Sequence, residues 1–157
     1  MKSKSQKYVV GFLFSYTLEY VALIRKQKPE WQAGLLNGIG GKIEPGEKPE
    51  AAMEREFKEE TGCHHNAWRK FCVMSGNNND GSEFELFCFW KRGDLTRLKS
   101  MEVEKVEIHP VGAILLGYQA TIPNPKWLIP LAIDSGTNTS SPTSVVAKYG
   151  KPTNKTK

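Results

Sequence analysis

Glu56, Glu59 and Glu60 stand three and four residues apart, the separations at which side chains of an α-helix become neighbours. At about 100° per residue all three leave one arc roughly 100° wide. Like charges in this arrangement oppose helix formation by roughly 0.2–0.5 kcal/mol per pair, so a chain that keeps three of them together has a cation to bind. Mg²⁺ suits such a donor set. It is a hard cation that takes oxygen ligands in an octahedron and keeps several waters, which leaves positions for phosphate oxygens and an attacking water. Gly40-Gly41, just upstream, let backbone approach a metal or a phosphate with no side chain in between. Gly41, Glu56, Glu59 and Glu60 are therefore the candidate metal ligands. Arg55 adjoins the carboxylates, and Glu47 precedes the helix and can reach back across the loop.

This chemistry needs a helix, and the flanking residues supply one. Pro49 suits a first helical turn and Gly62 a left-handed cap, which predicts a helix over residues 49–61. Upstream, 8–14 and 20–24 read as strands joined by a polar turn at 15–17, followed by an exposed basic loop at 25–31. A short extended piece at 35–37 runs into the glycine-rich turn 38–41. Downstream, 68–75 and 83–90 flank the turn signal Gly76-Asn-Asn-Asn-Asp-Gly81 and read as a hairpin. A last strand is expected at about 103–111. A second helix is expected at 125–133, with Trp127, Leu128 and Leu131 on its buried side. From Ser135 the chain is rich in Ser, Thr, Asn, Pro and Lys and is expected to be a mobile tail, Val145-Val146 being its only apolar pair. The division is a basic lead at 1–7, one domain at 8–134 and a polar, basic, flexible tail at 135–157.

Composition narrows the function classes. The chain has 157 residues, 39% of them hydrophobic, enough for one domain with a core. The net charge of +5 is confined to the ends: residues 1–7 hold three lysines and 136–157 four, neither segment holds an acid, and removing both leaves −2. An acidic body with basic ends is not a broad nucleic-acid-binding face. No apolar run approaches the roughly 18 residues that span a bilayer, and the apolar stretch after the basic N-terminus is broken by Thr17 and Glu19. Cys63, Cys72 and Cys88 are odd in number and lack C-x-x-C spacing, which reads as reduced thiols in a cytoplasmic protein.

Two other uses of a glycine-rich turn fail on inspection. A P-loop requires Ser or Thr after its lysine and a glycine at position 36, where this chain has Ile43 and Leu36. The dinucleotide fingerprint fails at its third glycine, which is Ile43. What the segment resembles is the signature of the Nudix hydrolases. Gly41, Glu47, Arg55, Glu56, Phe57, Glu59, Glu60 and Gly62 are all in register, with Cys63 replacing the usual aliphatic residue. At average residue frequencies this set would match by chance on the order of once in 10⁸ starts or less, which excludes coincidence. The resemblance implies an α+β Nudix fold, a mixed β-sheet sandwiched between helices as α/β/α. It also implies Mg²⁺, with Mn²⁺ as a substitute, and hydrolysis of a nucleoside diphosphate linked to a further group. Arg55 would orient the carboxylates. The general base in the family is either a motif glutamate or one on a later loop, for which Glu104 and Glu102 are the candidates.

The substrate lies outside the motif. Asn37 and Gly38–Lys42 resemble the equivalent segment of oxidised-purine nucleoside triphosphatases, whose matching asparagine contacts the base, and Trp127-Leu-Ile-Pro130 resembles a stretch on their second helix. The acidic pair that reads the purine edge in those enzymes is replaced by Pro123-Asn124-Pro125. The expectation is a (d)NTP pyrophosphohydrolase, with Asn37, Gly40 and Gly41 at the substrate and Trp127, Trp31 or Phe14 stacking on a base. Alternatives are an ADP-ribose or dinucleotide hydrolase, an RNA 5′-end (cap) hydrolase using the lysine tail and the basic loop, and a non-catalytic nucleotide- or RNA-binding module. Expected partners are a nucleotide and no membrane, in a monomer or homodimer.

Overall fold

The computed structural model describes residues 5–78, 80–137 and 145–148. Strand β1 (Gln6–Phe14) organises it, because its side chains alternate between two apolar faces. Val9 and Leu13 join one core cluster, and Val10, Phe12 and Phe14 join the other. The period of two along a strand therefore demands a layer on each side. Helix α1 (Pro49–Thr61) covers the first face with Ala52, Met53 and Phe57. The second face is covered by a short helix α2 (Val111–Leu115), through Val111 and Ile114, and by α3 (Pro125–Thr137), through Leu128, Ile129 and Ala132.

Along one edge, β1 pairs in parallel with β6 (Glu83–Arg92), from Gln6↔Phe84 to Phe14↔Arg92. The other edge is shared. Its C-terminal half pairs with β2 (Tyr20–Arg25), and its N-terminal half with β4 (Ile39–Lys42). The sheet runs β3-β2-β1-β6-β5-β8, with β3 at Leu36–Asn37, β5 at Arg69–Asn77 and β8 at Val145–Lys148, while β7 (Lys105–Pro110) pairs with β2. The result is the expected α+β fold with a mixed sheet between helical layers. No helix among the described residues is long and apolar enough to cross a membrane.

Three expectations are corrected. Gly40-Gly41 lie in β4 and not in a turn, with Gly41 opposite Val9 and Gly40 opposite Val10. A Cβ on Gly40 would stand 2.0 Å from the Val9 carbonyl oxygen, so the close pairing itself requires glycine there. Second, Val145–Lys148 are not mobile tail: they form β8, parallel to β5 from Cys72↔Val145 to Ser75↔Lys148, with Val145 and Ala147 packed on the core. The rest of the expected tail beyond α3, and most of the basic lead, fall outside the described residues. Third, the strand expected at about 103–111 ends at Pro110, and Val111 opens α2, a helix of five residues too short to show helical periodicity. The cysteines are free, and Cys72 and Cys88 face each other across β5 and β6 in the core.

Candidate functional site

Helix α1 begins with Pro49 in its first turn and ends at Gly62, whose φ of 74° is left-handed and whose N–H closes on the Lys58 carbonyl at 2.8 Å. Between these caps Met53 and Phe57 dock on the sheet, which turns Glu56 toward β4 and buries Glu60 one turn further along. The docking is close. A Cβ on Gly41 would lie 2.5 Å from the Glu56 carboxyl carbon and 2.6 Å from each of its oxygens. The bare backbone of β4 thus forms one wall of the carboxylate site.

Arg55 fastens the loop to the helix. Its Nε and Nη2 donate to Glu47 at 2.8 and 2.9 Å, Nη1 donates to Glu56 at 2.8 Å and Glu59 at 3.2 Å, and Nη2 also donates to the Lys42 carbonyl at 3.0 Å. The two-pronged bond to Glu47 is the strong, directional kind. It holds the Arg55 pKa above its usual value and, with the Glu44 N–H, the Glu47 pKa below its own. Arg55→Lys removes that fork while keeping the charge. We expect it to lower kcat by about 10–100-fold, the usual cost of losing a group that orients metal ligands, with the melting temperature little changed. Retention of full turnover would remove Arg55 from the site.

Glu60 is buried, at 7% exposure, and its Oε2 has no hydrogen-bond partner among the described residues. Burial first, then the charge of Glu56, push its pKa up to about 8, against the opposing pull of Lys26. Burial also raises the Glu56 pKa in spite of Arg55. An orphaned buried carboxylate oxygen beside a second desolvated carboxylate is an unfavourable arrangement unless a cation completes it. The donor set consists of carboxylate oxygens and a bare backbone, so it fits a hard divalent metal. Glu59 is different: its side chain is 48% exposed and turned onto Arg55. Among the described residues no three acidic, His or Cys side chains stand close enough to share an ion as they are. The expected ligands thus divide into an inner set, Gly41, Glu56 and Glu60, and an outer Glu59.

Gly41 also lines a cleft of about 540 Å³, together with Gly40, Lys42 and Asn37. The Asn37 side-chain oxygen accepts the Gly38 N–H at 2.8 Å. Lys26 and Trp31 lie on one wall of the cleft, and Trp31 is 65% exposed. Asn124 and Leu128 bring the start of α3 to it. Trp127 is not on the cleft; it packs half-buried against the core on the α3 side. Phe14 is fully buried and has no face to offer a base. In their place the structure supplies Tyr8 and Phe84, which sequence reasoning missed. Their signal was positional: both sit near the beginnings of the paired strands β1 and β6, where an aromatic runs off the end of the core. Glu104 accepts bonds from Lys26 and from the loop backbone at Gln27 and Lys28, and its charge also acts on Glu60. Glu102 is exposed, makes no hydrogen bond or ion pair among the described residues, and acts by its charge on both Glu56 and Glu60.

The NUDIX domain model matches residues 5–128. No curated protein matches the sequence. Among solved structures, the mutator MutT protein of Bacillus halodurans is similar at 24% identity and a TM-score of 0.64, with 80% of each chain covered. The MutT protein of Methanosarcina mazei Go1 gives 17% and 0.68, over 87% of this chain and 99% of that one. The NUDIX domain of Shewanella oneidensis NrtR, solved with ADP ribose, gives 19% and 0.73, over 85% and 90%. At these identities the structures speak for the fold, and the family model speaks for descent. The chain belongs to the Nudix family and, with each glutamate of the motif in place, it is a pyrophosphohydrolase of that family.

Proposed function

We propose that the protein hydrolyses nucleoside triphosphates to a nucleoside monophosphate and pyrophosphate, with Mg²⁺ as cofactor and Mn²⁺ as a substitute. The observation that carries this reading is a buried Glu60 oxygen with no partner among the described residues, beside Glu56, which stands behind Gly41, a residue that also lines the nucleotide-sized cleft. Glu56 and Glu60, with the backbone at Gly41, would hold the metal, and Glu59 would join them on release from Arg55. When bound, the metal polarises the diphosphate and acidifies a water.

The protein's own groups do the rest. Lys42 draws the phosphate chain to the cleft, Lys26 being paired with Glu104, and Trp31, Tyr8 and Phe84 offer apolar surface to the base. Arg55 fixes the direction of Glu56, so that the reacting phosphorus and the water meet in one orientation. Water oxygen bonds to phosphorus, the bridging P–O bond breaks, and pyrophosphate leaves with the electron pair. The proton passes to a carboxylate, for which Glu102 is the available loop group.

Incubation with dNTPs, oxidised dNTPs, ADP-ribose, diadenosine polyphosphates and capped RNA tests the assignment. The expected result is monophosphate and pyrophosphate from triphosphates, no orthophosphate, loss of turnover with EDTA and recovery with Mg²⁺. Turnover confined to ADP-ribose would sink the triphosphate reading and favour the ligand seen in the NrtR domain. Turnover confined to capped RNA would assign the RNA 5′-end reaction. Nucleotide binding with no turnover would make the protein a sensor.

A further inference from the structure

The loop between β2 and β3 forms the outer wall of the cleft, through Lys26, Pro29, Trp31 and Gln32. Its base is closed by two backbone bonds, Lys26 N–H to the Leu35 carbonyl and Gly34 N–H to the Lys26 carbonyl, each 2.8 Å. Arg25 adds a bond from Nη1 to the Gly34 carbonyl at 2.9 Å. Beyond that base, no residue from 27 to 34 is buried, including those of the single 3-10 turn Glu30–Gln32. Apolar burial therefore does not hold the loop against the cleft.

Glu104 does. Its Oε1 accepts Lys26 Nζ at 2.7 Å, and its Oε2 accepts the N–H of Gln27, by a short bond, and the N–H of Lys28 at 3.4 Å. The neighbouring Val103 carbonyl accepts Gln27 Nε2 at 3.2 Å. Successive N–H groups converging on one oxygen form an anion nest, here filled by a carboxylate 77 residues away in sequence from Gln27. Both oxygens are committed. Burial would raise the Glu104 pKa, but Lys26 and the two amides outweigh it and keep it below its usual value. A carboxylate held ionised by three donors is a poor proton acceptor.

The structure assigns Glu104 the part of a positioning residue: it straps the 26–34 loop as the cleft wall, and so sets substrate affinity and not proton transfer. The kinetic consequence rests on the proposed hydrolysis, while the mechanical one does not.

The test compares Glu104→Ala and Glu104→Gln with wild type. In hydrogen exchange of the metal- and nucleotide-free protein, amides of residues 26–34 should exchange at least about tenfold faster in the alanine variant, as expected on losing charge-assisted bonds. Those of α1 and β1 should not change. Glutamine, which keeps an acceptor oxygen, should fall between. With the best substrate of the panel, KM should rise by about tenfold, with kcat within about threefold and its pH profile intact. Unchanged exchange at 26–34 would overturn the proposal whatever the enzyme hydrolyses. A kcat fall of about a hundredfold at constant KM, or loss of a limb of the kcat pH profile, would make Glu104 a base and overturn it as well.

Discussion

Glu60→Gln should lower kcat by about 10³-fold or more and, in the same protein, raise the thermal stability of the metal-free state at alkaline pH. The two effects have one cause. Glutamine keeps the size of Glu60 but supplies no anionic oxygen, so on the proposed reading a metal ligand and its activation of water would be lost, a term of several powers of ten. Stability moves the other way because Glu60 is buried beside Glu56 with an oxygen that has no partner among the described residues. Its folded pKa of about 8 lies above the ordinary value of 4.5. Below pH 4.5 it is protonated in both states and imposes no cost. As pH rises from there to about 8, the unfolded chain releases the proton and the folded chain retains it. The unfolded state then binds fewer protons, and stability declines with pH. The decline is on the order of a few kcal/mol, or roughly 10 °C in melting temperature for a domain of this size. Glutamine removes the decline, and Mg²⁺ should offset it in wild type, more strongly as the pH approaches 8. Melts from pH 5 to 9 with EDTA or Mg²⁺ read all of this. Parallel decline in wild type and variant would show that Glu60 is not the buried acid.

How much of this was legible beforehand depended on the range of the interaction involved. Glu56, Glu59 and Glu60 could be placed because helical spacing is local, and Pro49 and Gly62 mark the helix ends within the same short segment. Arg55 and Glu47 followed from that register, eight residues apart. Gly40-Gly41 could not be read as a strand. Glycine is a turn signal locally, and only the tertiary pairing with Val9 and Val10 explains two of them in β4. The bonds of Glu104 were hidden for the same reason: its partners at 26–28 are brought to it by the pairing of β2 with β7. The aromatics show the limit most plainly. Phe14, Trp127 and Trp31 look equally eligible in sequence, yet the first is fully buried, the second packs on the core and only the third lines the cleft.

The adjacent glycines of β4 should fail in opposite ways when each is changed to alanine. At Gly41 the new methyl would meet the Glu56 carboxylate, the end of a side chain that can swing aside, with its carbon at 2.5 Å. The fold should survive, but Glu56 would leave the position that Arg55 and the helix give it. A displacement of about 1 Å in a catalytic group can cost about a hundredfold, and Gly41→Ala should lose at least that much kcat with a nearly unchanged melting temperature. At Gly40 the methyl would meet the Val9 carbonyl oxygen at 2.0 Å and its carbon at 2.8 Å, both backbone atoms of the central strand. Neither can yield without opening the β1–β4 ladder, so Gly40→Ala should cost about 2–4 kcal/mol or more and on the order of 10 °C in melting temperature. Circular dichroism melts and kinetics on the two variants separate the cases. An active Gly41→Ala, or a Gly40→Ala as stable as wild type, would mean that β4 does not lie against Glu56 and Val9 as described. The contrast follows from what each missing side chain faces. One glycine makes room for a reacting group and the other for the strand that carries it.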